Sequence, residues 1–63
     1  MPWRYDVFVT PVAGRWRVSV LDAAAAVLER VCDLADHEAA LQFARSLAED
    51  MVSLGDQVTL HST

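Results

Sequence analysis

The chain has 63 residues, a formal net charge of −4, a 54% hydrophobic composition and one cysteine, Cys32. That length holds one domain, residues 1–63. The acidic balance excludes general attraction to phosphate backbones, which needs many cationic contacts. A lone cysteine excludes a disulfide framework and a Cys-rich zinc site, and no run approaches the ~20 apolar residues of a membrane span.

Met1-Pro2-Trp3-Arg4 does not read as a secretory leader, so a soluble, cytoplasmic protein with no membrane partner is expected. A chain this short buries only about 60% of its unfolded surface, which leaves a thin margin of stability. Self-association is a common remedy in small scaffolds. The charge is unevenly placed. Residues 1–20 carry Arg4, Arg15 and Arg17 against Asp6, a net +2, and residues 21–63 carry −6.

Trp3 to Thr10 alternates. Trp3, Tyr5, Val7 and Val9 point one way, and Arg4, Asp6, Phe8 and Thr10 the other. Pro11-Val12-Ala13-Gly14 carries a turn signal. From Arg15 to Leu21 the alternation resumes, with Trp16, Val18 and Val20 on one face and Arg15, Arg17, Ser19 and Leu21 on the other. Two such runs across a short Gly-containing loop predict an antiparallel hairpin whose Trp/Tyr/Val side faces the core.

Asp22 to Ala35 is ambiguous. Its alanines favour helix, and Leu21, Ala24, Leu28, Val31 and Ala35 recur at helical steps. The preferred alternative is a turn over Asp22–Ala25 and a third strand from Ala26 to about Asp33. That strand would give a covering helix a fuller surface than a bare hairpin. Its facing stays open, because either choice sets a charge, Glu29 or Arg30, among apolar neighbours.

Asp36 to about Ser53 is the clearest helix. Ala40, Phe43, Ala44, Leu47, Ala48 and Met51 share one face at steps of three and four. Asp36 is a good N-cap, and Gly55 is placed just past the C-terminus, where φ > 0 is needed. Gln57 to His61 alternates once more with Val58 and Leu60 inward, and Ser62 and Thr63 are expected to fray. The result is an α+β fold, β-β-β-α-β, in which one helix lies across one face of a small antiparallel-rich sheet.

The hairpin bearing W-R-V-S-V, the strand after it, the helix D-H-E-A-A-L-Q-F-A-R-S-L-A and a short last strand resemble small bacterial domains with a W-x-V hairpin and an A-x-x-x-A helix. More distantly they are similar to the partial RNase-H-like domains of some toxin–antitoxin antitoxins. The first resemblance implies the same element order and no assigned activity. The second implies neutralisation of a toxin or binding to an operator.

The helix covers one sheet face only. The other offers Arg4, Phe8, Arg15, Arg17 and Leu21, a candidate interaction face. An ordinary solvated face, with Arg4 or Arg17 paired to Asp6 or Glu29, is the plainest account. A protein interface is favoured next, since Phe8 and Leu21 would otherwise be exposed. Stacking of bases on Phe8 with arginines on phosphates is the weaker alternative, because one Phe is not a platform.

His37 beside Asp36 and Asp33 lacks repeated ligand spacing and reads as a surface histidine at the helix start. Cys32 lacks the companions of a nucleophile and reads as a structural thiol. No nucleophile elbow, phosphate loop or catalytic carboxylate pair is present. The expectation is a non-enzymatic interaction module with no cofactor or metal, acting on a protein partner or as a homodimer through a sheet edge or the open face. The alternative is a nucleic-acid-binding or antitoxin-like regulator using the Arg/Phe face.

Overall fold

The computed structural model describes residues 3–62. Strands β1 (Arg4–Val12), β2 (Arg15–Asp22) and β3 (Val27–Leu34) precede helix α1 (His37–Ser53), and β4 (Gln57–Ser62) follows it. The sheet order is β3-β2-β1-β4. β1–β2 and β2–β3 pair antiparallel, whereas β4 pairs parallel to β1. The expected α+β order therefore forms, with one parallel edge. The helix is the crossover between the two outer strands, as parallel pairing requires.

The hairpin turn is tighter than the Pro-Val-Ala-Gly signal suggests. β1 runs on through Pro11, opposite Trp16, to Val12, opposite Arg15. Pro11 lacks an N–H, but β4 ends opposite Val9, so no ladder bond is missed on that side. Only Ala13 and Gly14 remain in the loop, both with positive φ (51° and 78°), as a primed two-residue turn demands.

The ambiguous segment resolves as turn and strand. Asp22 Oδ1 accepts from the N–H groups of Ala24 (3.0 Å) and Ala25 (3.3 Å), a side-chain-stabilised turn. Ala26 then takes φ 54° and β3 begins. Glu29 pairs with Val20 and Arg30 with Ser19, but Cys32 pairs with Val18, so Val31 is an extra residue without a cross-strand partner. This bulge switches the strand's parity. Val27 and Glu29 share the helix-side face with Cys32 and Leu34, while Leu28, Arg30 and Asp33 lie on the opposite face.

Val7, Val9, Val18, Ala40 and Ala44 are completely buried and form the core centre. Trp16, Val20, Cys32, Leu34, Leu41, Leu47, Met51, Val58 and Leu60 pack around them half-buried. The alanines let the helix backbone approach the valines closely. Asp36 caps the helix, its Oδ1 accepting from Glu38 N at 3.3 Å. At the far end Leu54 is the C-cap and Gly55 follows with φ 93°.

Three expectations need correction. Phe43 is 39% exposed. It is adjacent to the buried Ala44 and so about 100° round the axis, whereas Leu41 and Leu47, three residues away on either side, lie only about 60° off. Leu41 thus takes the core position assigned to Phe43. Trp3 is 55% exposed, because it precedes the first paired residue and only its carbonyl is held, accepting from Gln57 N at 2.8 Å. Ser62 does not fray but ends β4 opposite Val9. Thr63 lies outside the described residues, as do Met1 and Pro2.

Candidate functional site

Side chains paired directly across a sheet emerge on the same side. On the side opposite the buried valines the register builds three rows. Thr59, Asp6, Leu21 and Leu28 form the first, His61, Phe8, Ser19 and Arg30 the second, and Thr10, Arg17 and Asp33 the third. Arg15 lies beyond the third row, opposite Val12, and Arg4 before the first, opposite Gln57. Arg4, Phe8, Arg15, Arg17 and Leu21 therefore all lie on the face away from α1.

The middle of this face is a hollow. Ser19, only 5% exposed, is the smallest side chain of its row. Phe8, Thr10, Leu21 and Leu28 stand around it and line an open, mainly apolar depression of about 290 Å³. Leu28 forms an open rim at 62% exposure. Phe8 stacks against His61 with ring centroids 4.7 Å apart and planes 14° apart. His61 Nε2 donates to Asp6 Oδ1 at 2.9 Å, which holds the imidazole on the ring.

Charge collects at one end. Arg17 donates from Nε to Asp33 Oδ1 at 3.0 Å and from Nη2 to Oδ2 at 3.3 Å, and Arg30 Nη1 lies 3.8 Å from Oδ2. The Arg17 hydrogen bond holds the Asp33 carboxyl below the usual range. Partial burial opposes it, and the charges of Arg17, Arg30 and Arg15 add to it. The same hydrogen bond raises the Arg17 guanidinium further. One carboxylate thus sits among three arginines. The whole face carries Arg4, Arg15, Arg17 and Arg30 against Asp6 and Asp33, a net +2, which leaves −6 on the rest of the chain. The expected pairing of Arg4 or Arg17 with Asp6 or Glu29 does not form. Arg17 turns to Asp33 and Asp6 to His61, and Glu29 is on the helix side.

A second cavity, of about 350 Å³, opens on the helix side where α1 leaves the β2–β3 end uncovered. Tyr5, Val20, Asp22, Ala25, Val27 and Glu29 line it. Desolvation raises the Tyr5 phenol, and the charges of Asp56 and Asp22 add to this. Its lining holds acids and a phenol without a cationic or nucleophilic partner.

His37 opens the helix as expected but is half-buried rather than on the surface. It stacks on Trp16 with centroids 3.8 Å apart and planes 20° apart, and its Nε2 is buried without a hydrogen-bond partner. Cys32 is a half-buried free thiol against the core. Among the described residues no group of three or more His, Cys, Asp or Glu side chains is placed to hold a metal ion, and no helix is long and apolar enough to cross a membrane.

Sequence reasoning missed Ser19 as the floor of the hollow, and Leu28, Arg30 and Asp33 as its rim and charged end. Alternation already set Ser19 between Arg17 and Leu21. Leu28, Arg30 and Asp33 needed the bulge, which leaves no mark in the spacing. Comparison with family models, with curated proteins and with solved structures returned no match.

Proposed function

We propose that the chain is a non-enzymatic protein-interaction module that works through the open face of its sheet. The observation that carries this reading is the hollow over Ser19 beside the Arg15–Arg17–Arg30 group. An apolar recess next to unbalanced positive charge suits a polypeptide with one apolar side chain flanked by acids. A cytoplasmic setting accords with the lone free thiol of Cys32.

Nucleic acid, the antitoxin-like reading included, is the weaker fit. One face of Phe8 is already covered by His61, and stacking on bases needs free ring faces. Asp33 also occupies the guanidinium of Arg17.

Titration with a labelled peptide bearing one leucine between aspartates tests the proposal, with a uridine 12-mer as comparator. Binding of the peptide that disappears in Ser19→Leu supports it. Binding of the RNA alone, lost in Arg15→Ala, supports the regulator. Peptide binding that Ser19→Leu leaves untouched removes the open face from the account.

A further inference from the structure

The chain itself carries a surface with the chemistry that this hollow would accept. At the α1–β4 corner Leu54 is 80% exposed, more than any other large hydrophobic side chain among the described residues. Asp50 and Asp56 flank it in sequence. Asp50 precedes Leu54 by four residues, one helical turn. The corner is also the negative end of the helix dipole, and no basic residue lies in the last turn to offset it. Leu54 N donates to Met51 O (3.1 Å), Gly55 N to Val52 O (2.9 Å) and Asp56 N to Met51 O (3.2 Å), so the leucine stands on a braced turn.

Each molecule thus presents two patches of opposite character, an apolar recess with arginines at one end and an exposed leucine with Asp50 and Asp56 close to it in the chain. We infer that the occupant of the open face is a second copy of this chain, docked head-to-tail with Leu54 over Ser19 and its acids against Arg15 and Arg30. The inference rests on the reading of the open face as a docking surface. Charge chooses this geometry over two alternatives. Packing two open faces together would oppose +2 with +2, and pairing two corners would oppose acids with acids, whereas head-to-tail contact matches unlike charges. Such a contact uses different surfaces on the two partners, so one copy of a pair keeps a free corner and the other a free hollow, and assembly extends or closes into a ring.

Two variants block opposite halves of the contact. Ser19→Leu fills the hollow and leaves the corner intact, and Leu54→Asp spoils the corner and leaves the hollow intact. Leu28→Ser, at a rim side chain already 62% exposed, replaces Ser19→Leu if that variant does not fold. In sedimentation velocity at about 50 mM salt, wild type should show mass that rises with concentration, and the association should weaken about tenfold at about 500 mM salt. Each variant alone should sediment as monomer, and an equimolar mixture should form a one-to-one dimer. A mixture that stays monomeric while wild type associates overturns the head-to-tail geometry. Wild type that remains monomeric overturns self-association. If the leucine–aspartate peptide still binds it, the open face stands and its occupant is another protein; if the peptide fails as well, the docking-surface reading falls too.

Discussion

Arg17 grips both carboxylate oxygens of Asp33 across the β2–β3 pair, at 3.0 and 3.3 Å. The contact ties the half-covered edge strand to the sheet just beyond the bulge at Val31, where the ladder is interrupted. It also sets the charge at the end of the hollow, since Arg15 and Arg30 are left without a full counter-charge of their own.

The depressed Asp33 carboxyl has a consequence in acid. A group whose folded pKa lies below its unfolded value stabilises the fold above the unfolded value, and the contribution disappears as pH falls through the folded one. Wild type should therefore lose stability as pH drops below the ordinary carboxylate range. Urea midpoints for wild type and Asp33→Asn should differ most near neutrality and converge in strong acid. A gap that is constant with pH would show that the ion pair does not titrate with folding.

The helix face is set by its alanines. Ala44→Leu forces added volume between α1 and the buried valines and should cost about 1–3 kcal/mol. Phe43→Gln, at a side chain 39% exposed, should change stability by less than about 1 kcal/mol. Denaturant melts of the two variants check this, and a larger loss from Phe43→Gln would mean that the helix is rotated about its axis.

Much of this architecture was legible in the residues. Strict alternation set the facing of Val7, Val9 and Val18, because a period of two leaves no freedom once one face is buried, but the Pro11–Gly14 turn signal hid the β1–β2 register, in which Thr10 pairs with Arg17. Asp36 and Gly55 marked both helix ends. Phe43 misled because its spacing suits an apolar stripe on either flank of Ala44, and only the sheet's position selects Leu41 instead. The facing of β3 was not legible, since a bulge depends on how one strand pairs with another. The charge asymmetry was visible, but its concentration around Asp33 awaited that pairing.

His37 carries a local conflict. Its ring stacks on Trp16 while Nε2 is buried and unpaired, and an unsatisfied buried polar atom costs about 1–3 kcal/mol. His37→Phe keeps an aromatic contact and removes the orphan nitrogen. It should stabilise the fold by about 1 kcal/mol, read as a higher urea midpoint with an unchanged slope. A fall in midpoint would mean that the nitrogen makes a compensating interaction, such as one with water.

Amide chemical shifts followed as protein concentration rises test the docking of a second copy on the open face most directly. The account predicts that Arg17, Ser19, Leu21 and Leu28 move together with Leu54 and Gly55, and that the other five stay still in Ser19→Leu. Shifts confined to the outer edge of β3, or to the cavity at Tyr5 and Glu29, would contradict it.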